Sequence, residues 1–157
     1  MTSSSDTQRL DDLHWLLGRF PGYAGVTNFL GAKFTADETA LSPVLREVAS
    51  RGLFFVDDGA SPRSVARSAA AKLKLPAAGA DVVIDAVQKP EAIEDALNRL
   101  EAVARANGAA LGVATALPVS IEHISRWARG LEARGLALTP VSAIVARGPT
   151  SAAEASP

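Results

Sequence analysis

Short apolar runs alternate with segments of helical periodicity along most of the chain. The runs have the length of β-strands and lie at 23–27, 53–56, 82–84, 110–114 and 136–145, the last of which is expected to break at Pro140. Between them, apolar residues recur every three or four positions, as on the buried face of an amphipathic helix. Alternation of this kind, with a repeat of about 30 residues, is typical of βα units around a parallel sheet. We therefore predict an α/β fold of about five parallel βα units.

Prolines and glycines mark the expected helix ends. Polar residues stand directly before a proline at Ser42-Pro43, Ser61-Pro62 and Lys89-Pro90, each at the head of a segment with helical periodicity. We predict helix starts at these prolines, because the missing N–H of proline has no partner in a first turn anyway. Three helices are expected to end where a glycine can adopt a positive φ angle, namely at Gly52, Gly108 and Gly135.

Length, charge and cysteine content narrow the possible functions. The 157 residues favour one domain with a substantial core. The formal net charge of −1 gives no electrostatic basis for binding nucleic acid, so we expect no nucleic-acid partner. The absence of cysteine excludes disulfides, thiolate metal sites and cysteine nucleophiles. We predict a flexible segment at 1–12, the α/β domain at 13–146 and a disordered tail at 147–157.

The chain as written carries no membrane or export signal. It contains no run of about 20 apolar residues that would span a bilayer. Its first residues, MTSSSDTQ, lack the basic and then apolar layout of a secretory signal. We therefore expect the chain to stay in the compartment where it is made, and the sequence does not identify that compartment.

Polar residues at the ends of the predicted strands are the candidate site residues. In parallel α/β sheets the chemistry lies at the carboxyl ends of the strands. Asp57 and Asp85 follow two such strands and are the candidate catalytic pair, which would act on a hard cation or as an acid and base. The remaining strand-end candidates, for ligand binding, are Asn28, Asp58 and Thr115. The alternative remains that one aspartate of Asp57-Asp58 caps the following loop or helix while the other faces solvent.

Two further polar residues and both histidines lie outside the strand ends. Ser61 is the expected cap of a helix that begins at Pro62. Arg63 lies in the first turn of that helix, where its cation opposes the helix dipole and indicates either an anionic partner or a solvated side chain. His14 and His123 lie inside predicted helices, away from the strand ends, so a zinc cluster is poorly supported. No nucleotide-binding glycine motif and no G-x-S-x-G motif is present.

Two motifs resemble those of the divergent polysaccharide deacetylase family. They are N-x-x-G-x-x-F-T-A at Asn28–Ala36 and D-x-x-x-S-P-x-S-V-A at Asp57–Ala66. The resemblance runs from about Leu13 to Val145 and implies the later part of a distorted (β/α) barrel. It also implies a carbohydrate ligand, and relatives that use metal-bound water to attack an N-acetyl group. The family usually acts in the periplasm or envelope.

The chain departs from the family pattern at the metal side of the site. The family has Asn-His-Met-Gly where this chain has Asn28-Phe29-Leu30-Gly31. It has Gly-His-Pro where this chain has Ala114-Thr115-Ala116, so Thr115 stands in place of the histidine. Gly59 stands where the family pattern has an arginine, and Ala86 stands where it has an asparagine. None of these replacements retains an imidazole or a guanidinium, whereas Asn28, Asp57 and Asp85 match the pattern.

The resemblance therefore predicts a deacetylase-like domain without a metal site, which acts as a glycan-binding or assembly module and needs no cofactor. The alternative is an active carbohydrate deacetylase in which Asp57, Asp58 and Asp85 bind a divalent metal. Five strands are too few to close such a barrel. We expect either a fragment of a longer protein or a chain whose sheet is completed by a second copy or by another chain.

Overall fold

The computed structural model describes residues 6–147, which form an α/β fold with parallel strands and helices. The predicted fold class is confirmed, and the described strands do not form a closed barrel. The chain divides into two compact units, one that ends at Gly79 and one that begins at Ala80. Within the described range, no helix combines the length and the apolar character needed to cross a bilayer.

The first unit is a three-stranded parallel sheet with helices. Its elements are α1 (Asp6–Leu17), β1 (Gly25–Thr27), α2 (Ala32–Thr35), α3 (Glu38–Ser50), β2 (Phe54–Asp57), α4 (Ala66–Lys72) and β3 (Ala77–Gly79). The strand order is β1-β2-β3, and Phe55 at the centre pairs with Val26 on one side and Ala77 on the other. The core forms where α3 and α4 pack with Phe55, because Leu41, Leu45 and Val48 all face inward and are fully buried.

The second unit contains a two-stranded parallel sheet. Its elements are β4 (Val82–Val83), α5 (Pro90–Asn107), β5 (Gly112–Val113), α6 (Pro118–Arg129), a 3₁₀ turn (Glu132–Arg134) and α7 (Val141–Ala146). β4 pairs with β5, with Val82 opposite Gly112. The apolar stripe of α5, which includes Ile93, Ala96 and Leu97, packs with Ile84 in the core of this unit.

Several predicted helix ends are confirmed. α5 begins at Pro90 with Lys89 as its N-cap, and it ends at Gly108 with a φ angle of 76°. Gly52 and Gly135 also have positive φ angles directly after helical turns. α1 begins at Asp6, so residues 6–12 are helical although they were assigned to the flexible segment. The predicted tail lies outside the described residues except for Arg147.

Two predicted helix starts are wrong. α3 begins at Glu38 instead of Pro43, because Asp37 caps it by accepting a hydrogen bond from the Ala40 amide at 3.1 Å. Pro43 therefore lies inside the helix. α4 begins at Ala66, so Ser61 and Pro62 belong to the preceding loop.

The prediction of a strand at 136–145 is also wrong, and β3 was missed. Residues 136–140 are neither helix nor strand, and α7 follows directly after Pro140. Val141, Ile144 and Val145 are spaced by three and four positions. The apolar run that contains them therefore fits the buried face of a helix as well as it fits a buried strand. β3 consists of the small residues Ala77, Ala78 and Gly79, which have little strand propensity and owe their conformation to pairing with β2.

A charged network ties the helices of the second unit together. The Glu101 carboxylate of α5 accepts hydrogen bonds from Trp127 Nε1 at 2.7 Å and from Arg134 Nε at 2.9 Å. Burial raises the pKa of Glu101, but the hydrogen bonds from Arg134 and Trp127 outweigh it and leave the pKa below its ordinary value. The ionised form of Glu101 therefore stabilises the folded state.

We predict that Glu101→Gln lowers the free energy of unfolding at pH 7 by roughly 1–3 kcal/mol, the range for hydrogen bonds to charged groups. Because the folded pKa is depressed, this stabilisation is present above the ordinary glutamate pKa and is lost as pH falls through the folded value. Urea unfolding from pH 7 to pH 3 should show the difference from wild type shrinking with acidity. Glu122→Gln, at an exposed pair with Arg126, is the control and should change little. A difference that is constant with pH would contradict the assignment.

Candidate functional site

The loop after β1 displays two apolar side chains to solvent. Phe29 is 80% exposed and Leu30 is 64% exposed. The backbone of Leu30 has a φ angle of 59°, followed by Gly31 at 81°. A positive φ angle costs a non-glycine residue about 1 kcal/mol or more, so this loop needs compensating interactions.

Asn28 and Asp58 supply those interactions by linking the ends of β1 and β2. The Asn28 side chain accepts a hydrogen bond from the Asp58 amide at 3.0 Å and donates one to the Leu30 carbonyl at 3.3 Å. In return, the Asp58 carboxylate accepts from the Leu30 amide at 3.1 Å and from the Ala60 amide at 2.9 Å. The conformation of the loop is therefore fixed from both strands.

Asp57 is buried at the end of β2 and connects it to α4. One carboxylate oxygen accepts a hydrogen bond from the Gly59 amide at 3.1 Å, and the other accepts from the Ser64 hydroxyl. Ser64 in turn accepts a hydrogen bond from the Ala66 amide at 3.2 Å, in the first turn of α4. Asp57 thus determines how the chain leaves β2 and enters the helix.

The second unit has a similar arrangement at the end of β4. Asp85 Oδ2 accepts hydrogen bonds from the Thr115 amide at 2.8 Å and from the hydroxyl of the fully buried Ser120 at 2.7 Å. Asp81, at the start of β4, accepts from the Leu111 amide at 2.8 Å. The two aspartates therefore connect β4 to the backbone on either side of β5.

Some of the candidate residues belong to the first unit and the others to the second. Asn28 and Asp58 lie together with Asp57 at the strand ends of the first unit, whereas Asp85 and Thr115 lie together in the second. The Ser61 backbone carbonyl accepts a hydrogen bond from the Ser64 amide at 3.1 Å. Arg63 is exposed, and its side chain makes no hydrogen bond or ion pair within residues 6–147.

Ser64 and Ser120 were missed by the sequence analysis. Ser64 is the second serine of the D-x-x-x-S-P-x-S-V-A motif, and the available signal was its place in that motif, two residues before Ala66. Ser120 stands in the first turn of α6, where a short polar side chain in an otherwise apolar stretch indicates an internal partner. Neither residue was distinguishable from a helix cap without the fold.

The donor set does not fit a zinc ion. Each of the four carboxylate oxygens of Asp57 and Asp58 accepts a protein hydrogen bond, so a cation would have to displace or share those donors. Both histidines are paired inside helices, His14 with Glu47 at 2.9 Å and His123 with Glu94 at 3.0 Å. In the part of the chain that the structure describes, no three His, Asp or Glu side chains form a metal-binding group.

Comparisons with known proteins agree with the motifs. The family model described as divergent polysaccharide deacetylase matches residues 1–145. A crystal structure of an uncharacterized protein from Agrobacterium tumefaciens is similar, with a TM-score of 0.88 and 39% sequence identity. That match covers 90% of this chain and 58% of the Agrobacterium chain, so the present chain spans little more than half the length of that protein. The comparison with curated proteins finds no match.

We predict that Asn28→Ala destabilises the first unit by roughly 1–3 kcal/mol, because it leaves the amide of the buried Asp58 without its hydrogen-bond partner. The amides of Leu30 and Asp58 should also exchange faster with solvent. Urea unfolding and hydrogen exchange measure the two effects. Asn98→Ala is the matched control, since Asn98 is exposed within α5 and alanine is the better helix former. Equal effects of the two substitutions would show that the loop does not depend on Asn28.

Proposed function

Because the chain belongs to the divergent polysaccharide deacetylase family, we propose that it is a deacetylase-like domain without metal-dependent catalysis. It serves as a non-catalytic module that binds glycan or assembles with other chains. The observation that carries this proposal is the end of β1, where exposed hydrocarbon occupies the position at which the resemblance places an imidazole ligand.

Loss of catalysis is supported first by side-chain chemistry at two strand ends. Phe29 and Thr115 stand where the family pattern has histidines. A benzyl group cannot ligate a metal, and the Thr115 hydroxyl is a poor substitute for a neutral imidazole. With both imidazoles replaced, too few strong ligands remain for a tetrahedral zinc site.

The hydrogen bonds of the aspartates are the second support. Asp57 links β2 to α4, and Asp85 links β4 to the loop that precedes α6. A catalytic carboxylate must be available to a water, a metal or a substrate proton. These two carboxylates are buried and accept hydrogen bonds from the protein itself, so a structural role accounts for both.

Glycan binding is supported by the character of the β1 loop. An exposed aromatic ring offers an apolar face on which the C–H face of a pyranose can stack, and fixing the ring in advance lowers the entropic cost of binding. Phe29 lies on a loop whose backbone is fixed by Asn28 and Asp58.

We predict that the purified protein, equilibrated with Zn²⁺ and then dialysed, retains far less than one metal ion per chain. The physical reason is the missing imidazole ligands, and elemental analysis by mass spectrometry provides the measurement. Retention of one equivalent of zinc that Asp57→Ala abolishes would overturn the loss of the metal site.

The alternative function, an active carbohydrate deacetylase, is tested by measuring the release of acetate. An active domain would release acetate from N-acetylated oligosaccharides in the presence of Zn²⁺, Mg²⁺, Mn²⁺ or Co²⁺. We expect no release above the level of an Asp85→Ala variant. Release that is metal-dependent and absent in both Asp57→Ala and Asp85→Ala would establish the hydrolase instead.

We also predict that the protein binds an oligosaccharide of N-acetylglucosamine and that Phe29→Ala weakens this binding by about tenfold, the loss expected for one aromatic contact. Isothermal titration with the tetrasaccharide measures the affinity. Phe20→Ala is the matched control, because Phe20 is an equally exposed phenylalanine of the same unit, 75% exposed, and lies outside the β1 loop. Absence of binding at millimolar saccharide, or equal losses for the two variants, would refute the glycan role.

A further inference from the structure

The three strands of the first unit end at the same end of their sheet. Thr27 is one residue from the last pair of β1 with β2, and Asp57 pairs with Gly79, so the last residues of β1, β2 and β3 lie side by side. These three residues form the carboxyl end of the sheet. The loop that carries Phe29 leaves β1 there, so charges at this end also lie near a ligand of the ring.

Arg67 of α4 lies across the end of β3. Gly79 has no side chain, and the side chain of Arg67 occupies the space beside it. A Cβ atom at Gly79 would lie 2.9 Å from Arg67 Cδ and 3.9 Å from Arg67 Nε. The side chain of Arg67 is exposed and forms no hydrogen bond or ion pair within residues 6–147. Its guanidinium is therefore a free cation at the carboxyl end of the sheet.

One backbone hydrogen bond holds Lys33 and Arg63 near each other. The Val65 amide donates to the Thr35 carbonyl at 2.8 Å, which joins the segment after β2 to α2. Lys33 lies two residues before Thr35, and its backbone is at most about 7 Å from that bond. The same holds for Arg63, two residues before Val65. Both side chains are exposed and unpaired in the part of the chain that the structure describes.

The aspartates around these cations are engaged with other partners. Asp57 and Asp58 are buried, and all four of their carboxylate oxygens accept hydrogen bonds from the protein. Asp37 accepts a hydrogen bond from the Ala40 amide as the N-cap of α3. Within residues 6–147, no ion pair joins these aspartates to a cation. Three positive charges are therefore left for an acidic ligand.

We propose that the glycan bound at the β1 loop is acidic, and that Lys33, Arg63 and Arg67 bind the carboxylate or phosphate groups on its sugars. A guanidinium presents paired donors that match two oxygens of such a group, and an ammonium binds it as a compact charge. The ring of Phe29 contacts the sugar itself. This proposal rests on the proposed glycan role and names the chemical class of the ligand.

Isothermal titration of the wild type with two matched pairs of saccharides tests the proposal. One pair is a tetrasaccharide of alternating N-acetylglucosamine and glucuronic acid, and its carboxyl-reduced form. The other is the tetrasaccharide of N-acetylglucosamine with and without a 6-phosphate. In at least one pair, the acidic form should bind about tenfold more tightly at low salt, because three exposed ion pairs act together. This ratio should shrink as salt is raised, and the pair with the larger ratio identifies the acidic group.

Charge-removing variants show which cations are responsible. Arg63→Gln and Arg67→Gln should each lower the ratio of the two affinities by about threefold, chiefly through weaker binding of the acidic form. Arg46→Gln is the matched control, because Arg46 is an exposed and unpaired arginine of the same unit that lies in the interior of α3. It should keep the wild-type ratio.

The possible failures are distinguishable. Equal affinities within both pairs, or a ratio that both variants retain, would overturn the acidic ligand and leave the glycan role standing. A single-stranded tetradeoxynucleotide that binds as tightly as the acidic saccharide would also overturn it, since the cations would then bind anions without regard to the sugar. If no saccharide binds at all, the glycan role fails together with this proposal.

Discussion

The hydrogen bond from a backbone amide to an aspartate at the end of a short strand is the interaction on which the rest of the structure depends. The strands have only two to four residues, so their ladders alone supply few hydrogen bonds. Asp81 and Asp85 extend the pairing of β4 with β5 beyond both of its ends. Asp58 does the same for β1 and β2, because its carboxylate accepts a hydrogen bond from the Leu30 amide. Without these carboxylates, partly buried amides at the strand ends would lose their partners, and the cost for a fully buried amide is about 1–3 kcal/mol.

On the proposal that the metal site has been lost, this constraint explains how the frame of the site persists. The residues that match the family pattern, Asn28, Asp57 and Asp85, are also the ones whose side chains fix the loops. Phe29 and Thr115 depart from the family pattern and have exposed side chains. These side chains therefore contribute little to the stability of the fold. The fold therefore depends on the carboxylates of Asp57 and Asp85, whereas it places no such demand on the exposed side chains of Phe29 and Thr115.

The sequence predicted what depends on local chemistry and failed where partners are distant in the chain. The start of α5 at Pro90 and its end at Gly108 follow from backbone geometry within a few residues, and the strand ends follow from the apolar runs. β3 was missed because its small residues acquire strand conformation only from pairing with β2. The strand predicted at 136–145 failed because an apolar run of that length fits a helix equally well. The roles of Ser64 and Ser120 were missed because each depends on an aspartate 7 or 35 residues away.

The exposed ring of Phe29 is the feature that folding leaves unexplained. Its loop has a leucine with a positive φ angle, and the hydrogen bonds of Asn28 and Asp58 stabilise that conformation without covering either side chain. Burying a phenylalanine side chain completely gains about 1.5–3 kcal/mol. A sugar that stacks on one face of the ring would cover about half of it, and half of that gain, roughly 0.8–1.5 kcal/mol, corresponds to about a four- to thirteenfold change in affinity. Under the proposed glycan role, binding at this fixed loop recovers part of the free energy that the exposed ring forgoes in the folded chain.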